Sequence, residues 1–154
     1  MTRTTTVTKT EPSTTGAGPR RRGLARTLAV VATIVAAVAV WAVARFGVGI
    51  AVSEPQWSGP PTDLTVTDVV LVSAVVSLAG WALLAVLERF TARAAHWWVT
   101  IAALGAVVSL LGPLTAPGIG GSSRVVLVLL HVVVGAALIP LLYRSSPTRS
   151  EPVS

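Results

Sequence analysis

Four polar side chains fall inside long apolar runs of this sequence and are its candidates for chemistry: His131, Ser109, Ser73 and Ser77. An ionisable side chain is costly to bury in lipid, so a functional role for His131 is the default hypothesis. His131 could accept a proton or contact a ligand in a cavity. The alternative, which we favour from the sequence, is a neutral imidazole that donates to a serine or a free carbonyl and fixes how the helices pack.

Three of these side chains reach similar depths. At 1.5 Å per residue, His131 lies about 9 Å along its apolar run. Ser109 and Ser73 lie at comparable distances from the same side. The spacing is therefore compatible with one intramembrane hydrogen-bonded group, with Ser77 one helical turn beyond Ser73.

No familiar catalytic pattern accompanies these residues. The sequence has no cysteine, no Gly-rich phosphate loop, no HExxH and no GxSxG, which removes thiolate chemistry and the common hydrolase and nucleotide sites. His96 is predicted at the opposite membrane face from His131, so the two cannot share a metal. We therefore expect no catalytic residue, no metal and no cofactor, and a protein that is not an enzyme.

The composition indicates that these residues lie in membrane hydrocarbon and not in water. Of 154 residues, 53% are hydrophobic and 12% charged, against roughly 25% charged in soluble domains. A spanning helix needs about 20 apolar residues. The sequence predicts an all-α polytopic membrane protein, a four-helix up-down bundle over 28–143 that lies between two disordered tails, 1–27 and 144–154. The predicted spans are 28–48, 69–87, 97–114 and 125–142.

Basic residues beside the spans predict the orientation, because Lys and Arg are retained on the cytoplasmic side. Six precede Leu28, two lie between the second and third spans, and two follow the fourth. Only Arg45 and Arg124 fall on the other side. Both termini are therefore predicted to be cytoplasmic, in a plasma-membrane protein. The formal charge of +6 is explained by this asymmetry, so we expect no nucleic-acid partner.

Arg45 and Arg124 are the candidate basic residues of the outer face. With the nearby acidic residues they could form a mouth for a small anion. The interpretation as solvated anchors is favoured, because snorkelling is routine at helix ends. Aromatic residues are predicted at the interfaces as belt residues, with Trp97, Trp98 and Tyr143 at the inner one and Trp57 at the outer one.

Helix association in lipid depends on small residues and on polar groups that pair across the contact. Three spans each carry such a face at helical spacing. They comprise Ser73, Ser77, Gly80, Leu84 and Glu88; Ala102, Gly105, Ser109 and Gly112; and Arg124, His131, Gly135 and Leu138. Glu88 is predicted to form an ordinary interfacial ion pair beside Arg89 and Arg93.

Two further patterns have alternative interpretations. Arg20–Arg22, an apolar run and Ala42-Val43-Ala44 resemble a secretory signal, but the run is longer than the 7–15 residues of a signal peptide. An uncleaved first span is therefore preferred. The segments AVVSLAG (74–80) and AVVSLLG (106–112) could be a trace of an inverted repeat, although coincidence in an Ala- and Val-rich chain is the preferred explanation.

Three segments resemble a known family: SLAGWALLAVLER (77–89), SLLGPL (109–114) and LLHVVVGAALIP (129–140). They resemble a family of small four-span integral membrane proteins of actinobacteria. The resemblance covers spans two to four and only loosely span one. It implies four helices and carries no assigned activity.

Two functional hypotheses follow. The first and leading hypothesis is a non-enzymatic accessory bundle that binds a protein partner or a second copy of itself within the lipid bilayer. The second is a small transporter or permease-like protein that moves a solute or a proton past His131, Ser73 and Ser109.

Overall fold

The structure of the protein is a computed structural model that describes residues 19–55 and 60–146. Trp57, most of the predicted N-terminal tail and the end of the C-terminal tail lie outside the described residues. The fold is all-α, with four helices long and apolar enough to cross a membrane. The predicted fold class is confirmed.

The described part of the chain folds into five helices and one short hairpin. In chain order they are α1 (Pro19–Ala42), which continues as a π-helical turn (Val43–Gly47), β1 (Ser53–Glu54), β2 (Thr62–Asp63), α2 (Val66–Phe90), α3 (Ala94–Ser109), α4 (Leu111–Thr115) and α5 (Gly121–Ser145). The strands are antiparallel, with Ser53 opposite Asp63. We call the end of the bundle that carries this hairpin the hairpin end, and the end that carries Pro19 and Ser146 the tail end.

The helices extend past the apolar runs that predict them. Residues 19–27, expected in the disordered tail, form the first turns of α1. At the hairpin end, α2 begins earlier than predicted, because Thr65 and Asp68 form a capping box in which each side chain accepts from the other residue's amide. Apolarity identifies the part of a helix that lies in hydrocarbon, whereas capping sets where the helix starts.

The third span is interrupted at Leu110. The helix axis restarts as α4, in which Pro113 occupies the first turn, where a missing amide costs little. Together α3 and α4 form one span, Ala94–Thr115. Gly112 and Pro113 therefore lie in the first turn after the break.

The helices pack in three layers. α1 contacts α5 and α2 on one side, and α3 contacts α2 and α5 on the other. Two buried apolar groups stabilise this arrangement. One, which includes Ala37, Val52 and Leu130, lies towards the hairpin end. The other, which includes Leu84 and Leu142, lies towards the tail end.

The small-residue face of α2 packs inside the bundle as expected. Ser73, Ser77 and Leu84 are buried. A Cβ added at Gly80 would lie 3.3 Å from Leu138 Cδ2 of α5, so glycine permits this close helix approach. The corresponding face of α3 differs, because Gly105 and other members are exposed.

Side-chain hydrogen bonds tie the hairpin end together. Ser123 of α5 accepts from the Ser53 amide at 3.1 Å and donates to the Ala51 carbonyl at 3.4 Å. The Trp41 indole of α1 donates to the Leu64 carbonyl at 3.0 Å. The connection between α1 and α2 is therefore hydrogen-bonded to both α1 and α5.

An ion pair ties the tail end. Arg26 Nη2 lies 2.5 Å from Glu88 Oε1, and Arg26 Nε donates to Ser145 Oγ at 3.3 Å. Glu88 thus pairs with α1 rather than with Arg89 or Arg93, beside which it was predicted to pair. One guanidinium joins α1, α2 and α5, and Arg26 is only 8% exposed.

We expect Arg26→Ala to lower the free energy of unfolding by about 2 kcal/mol, because it leaves the Glu88 carboxylate half-buried and unpaired. The measurement is equilibrium unfolding of the purified protein in mixed micelles. Arg89→Ala, at an exposed neighbouring position, is the control and should have no effect. Adding Glu88→Ala to Arg26→Ala should restore part of the loss, and equal losses in both single arginine variants would contradict the assignment.

Candidate functional site

A cavity of about 570 Å³ lies between α2, α3 and α5. Ligand pockets commonly fall between about 300 and 1,000 Å³. The lining is mostly apolar. Outside its tail end, five lining residues have polar or charged side chains: Glu54, Asp68, Ser73, Ser109 and His131. The structure therefore brings three of the four predicted polar side chains to one space.

The predicted hydrogen bonds among these side chains do not form. His131 Nδ1 lies 2.7 Å from the Leu127 carbonyl, one turn earlier on its own helix. Ser109 Oγ donates to the Ala106 carbonyl at 2.7 Å, again within its own helix. The cavity separates α2, α3 and α5 at this depth. His131 and Ser109 therefore each bond within their own helix and do not join two helices.

The hydrogen bond of His131 determines what its ring offers to the cavity. A carbonyl oxygen can only accept, so Nδ1 must carry the proton. In the neutral imidazole, Nε2 is then an acceptor. His131 is half-buried and also borders a second groove between α3 and α5. His131 therefore lies at the α3–α5 contact, and its Nε2 makes no hydrogen bond to any residue that the structure describes.

Ser73 and Ser77 have different environments although they are one turn apart. Ser73 is 5% exposed and lines the cavity. Its hydroxyl makes no hydrogen bond to any residue that the structure describes. Ser77 is completely buried, also without a hydrogen-bond partner among the described residues, and it does not line the cavity. Of the two, Ser73 is the hydroxyl available to a bound molecule.

Two carboxylates lie at the hairpin end of the cavity. Glu54 comes from β1, and Asp68 comes from the first turn of α2. Asp68 Oδ2 accepts from the Thr65 amide at 2.9 Å and from the Thr65 hydroxyl at 2.5 Å. The capping box that starts α2 thus also fixes the position of a charged group at the cavity.

Trp98 lines the cavity towards the tail end. Its indole donates to the Gly80 carbonyl at 2.8 Å, and only 1% of the residue is exposed. Its prediction as an interfacial belt residue was wrong, because this bond and the packing against Leu138 place it between helices. Its neighbour Trp97 is 57% exposed, as a belt residue would be.

The two basic candidates do not line the cavity. Arg124 donates to the Leu114 and Ala116 carbonyls, so it caps the end of α4. Arg45 is exposed in the π-helical turn. The cavity therefore has negative charge at its hairpin end, and the anion mouth considered for these arginines does not coincide with it.

Within residues 19–55 and 60–146, no group of three or more His, Asp or Glu side chains could hold a metal ion. The two carboxylates and His131 do not assemble into such a group. The cavity chemistry is instead that of hydrogen-bond acceptors along an apolar wall.

Residues 17–148 match the model of a family of unknown function, DUF6069. The chain belongs to the DUF6069 family. No curated protein and no solved structure matches it. The DUF6069 match covers all four spans, so the cavity lies within the segment that defines the family.

Sequence reasoning missed Glu54, Asp68 and Trp98 as cavity residues of this DUF6069 protein. Asp68 had a detectable signal, because Thr65-x-x-Asp68 before an apolar run predicts a helix start and so places a carboxylate at a span's end. Glu54 had none, since its position depends on the hairpin register. Trp98 could not be separated from Trp97 by sequence position alone.

The chain has no cysteine, so single substitutions test the cavity directly. Ser73→Cys should react with a small methanethiosulfonate reagent at least about tenfold faster than Ser77→Cys, because thiol reactivity requires access to water. The two variants are matched in chemistry and differ by one helical turn. Equal rates at the two positions would show that the cavity is not open to water at Ser73.

Proposed function

We propose that this DUF6069 protein is a non-enzymatic, permease-like membrane protein that binds a small amphiphilic molecule between α2, α3 and α5. The supporting observation is that Ser73, Ser109 and His131 border one apolar cavity with carboxylates at one end. Each of these polar groups is costly in hydrocarbon, and a bound molecule with hydrogen-bonding groups would offset that cost. This favours the second of the two functional hypotheses.

The use of the small-residue faces also supports this proposal. The α2 face packs within the bundle at Ser77, Gly80 and Leu84. A Cβ added at Gly135 of α5 would lie 3.5 Å from the Ala106 side chain. These residues associate the protein's own helices, so they no longer argue for a partner.

We expect Gly105→Phe to weaken binding of 6-phenylhexan-1-ol by about tenfold, because Gly105 lines the cavity and has open space at its Cβ position. Binding would be measured with the purified protein in maltoside micelles, with empty micelles subtracted. Leu104→Phe is the matched control, since Leu104 precedes it on α3, is 62% exposed and lines neither cavity. Equal binding to both variants would contradict the proposed cavity.

A second candidate function is association with a partner helix. A groove of about 340 Å³ between α3 and α5 includes the exposed small residues Ala103 and Ala136. Small residues on a lipid-facing surface permit close approach of another helix. A stoichiometric second protein or a second copy that crosslinks at this groove would favour the accessory hypothesis.

We also propose that the tail end lies in the cytoplasm and that the membrane is the plasma membrane. Arg20–Arg22, Arg26, Arg89, Arg93 and Arg144 belong to the tail end, which agrees with retention of basic residues on the cytoplasmic side. Of the basic residues that the structure describes, only Arg45 and Arg124 lie towards the hairpin end.

This orientation predicts the labelling of two single-cysteine variants in intact cells. Asp63→Cys, exposed on β2, should react with a membrane-impermeant maleimide added outside. Ala92→Cys, exposed between α2 and α3, should react only after the membrane is permeabilised. The reverse pattern would show that the hairpin end faces the cytoplasm.

A further inference from the structure

Apart from the Ser73 hydroxyl, which can donate as well as accept, the polar atoms that the cavity offers to a bound molecule are hydrogen-bond acceptors. The carboxylates of Glu54 and Asp68 only accept when ionised, and the His131 Nε2 accepts in the neutral ring. The one indole donor of the lining, Trp98, is used by the Gly80 carbonyl. Complementarity therefore calls for a bound molecule that donates hydrogen bonds.

The charge of the lining also favours a bound molecule that donates hydrogen bonds. The described residues that line the cavity include two carboxylates and no lysine or arginine. The nearest outer-face guanidinium of α5, Arg124, donates to the end of α4 instead. A positive group at the hairpin end would be attracted, whereas a second negative group would be repelled.

Ser73 is an independent sign of a ligand. It is 95% buried, since 5% of the residue is exposed, and it lines the same cavity. A serine in a helix commonly donates to the carbonyl one turn earlier, as Thr33 does to Ala29 at 2.8 Å. Ser73 makes no such bond, so its hydroxyl is available one to two turns below the carboxylates.

The shape of the cavity defines the rest of the molecule. Its lining extends along α2 from Asp68 to Leu83, about 22 Å at 1.5 Å per residue. Beyond Ser73 and His131 the lining is apolar, with Leu83 and Trp98 towards the tail end. The space suits an elongated apolar body with its polar group at one end.

We infer that the cavity binds a monovalent organic cation, a protonated amine on an elongated apolar body, with the ammonium at Glu54 and Asp68. This inference rests on the proposed function and names the ligand class of that site. The ammonium donates to the carboxylates, Ser73 borders the part of the molecule one to two turns below them, and the apolar body lies between α2, α3 and α5. The same chemistry occurs in soluble amphiphilic amines and in the headgroup of an aminophospholipid.

Three probes share the same apolar body and differ in the charge of the group at its end: 6-phenylhexylammonium, 6-phenylhexan-1-ol and 6-phenylhexanoate. They test whether the cavity prefers a cation. Binding would be measured with the purified full-length protein in uncharged maltoside micelles. The ammonium should bind at least about tenfold more tightly than the alcohol, the usual gain from a charge-assisted hydrogen bond. The carboxylate should bind more weakly than the alcohol.

Asp68→Asn and Glu54→Gln should each remove most of the ammonium preference and leave alcohol binding unchanged. Asparagine can still accept from Thr65, so the helix cap is retained, and unchanged alcohol binding reports an intact cavity. Asp63→Asn is the matched control, because Asp63 is an exposed acidic residue of the same hairpin that does not line the cavity. It should keep the full preference.

Other results separate the two proposals. Equal binding of all three probes, or tighter binding of the carboxylate, would overturn the cation assignment and leave the cavity function intact. An ammonium preference that survives the Asp68→Asn, Glu54→Gln double variant would overturn the placement of the charge. Failure of wild-type protein to bind any probe would end both proposals.

Competition identifies the source of the amine. Dihexanoyl phosphatidylethanolamine should displace the ammonium probe if the natural ligand is an aminophospholipid, and dihexanoyl phosphatidylglycerol is the control without an amine. Displacement by phosphatidylethanolamine alone supports the cation assignment with a lipid as its source. Displacement only by soluble amines supports it with a soluble source, and equal displacement by both lipids would contradict recognition of the ammonium.

Discussion

Polar groups inside hydrocarbon have no water to bind, so a polar group without a partner in the protein is costly. This constraint determines where the helices of this bundle can be joined. Thr33 and His131 bond to carbonyls of their own helices, and these bonds leave helix packing free. Interhelical polar contacts of the spans instead concentrate near the two ends, where Arg26 meets Glu88 and Trp41 meets Leu64. The middle of the bundle relies on close packing of small residues.

The position of α3 follows from this distribution. The described residues give α3 one side-chain hydrogen bond to another spanning helix, from Trp98 to Gly80 near the tail end. Further along, Gly105 and Ser109 are exposed, and α3 has the smallest buried share of the four spans. α3 therefore lies close to α2 at the tail end and leaves a cavity towards the hairpin end. The cavity is a consequence of how α3 is attached.

The sequence predicted the parts of this structure that depend on one helix at a time. Four apolar runs define four spans, and the spacing of Ser77, Gly80 and Leu84 predicts the buried face of α2. Contacts between distant residues were not predictable, because they depend on the relative heights of the helices. Arg26 and Glu88 are 62 residues apart, and nothing local indicates that their helices place them at the same level. The cavity has the same origin, since whether Gly105 and Ser109 of α3 are covered depends on how closely the neighbouring helices approach them.

The cavity is asymmetric along the membrane, and this bears on what one copy of the chain can do. Its hairpin end carries the carboxylates of Glu54 and Asp68, whereas its other end meets Trp98 and the buried group that includes Leu142. Beyond that group lies the Arg26–Glu88 pair, which joins α1, α2 and α5. Under the proposed function, a molecule that enters between α2 and α3 would be bound by a single copy near the hairpin end, and on its way to the tail end it would pass Trp98, whose indole donates to the Gly80 carbonyl. Trp98 provides the one described side-chain hydrogen bond from α3 to another span, and Arg124 of α5 donates to the Leu114 carbonyl of α4. Release of the Trp98 bond would therefore leave the third span joined to α5 at the hairpin end.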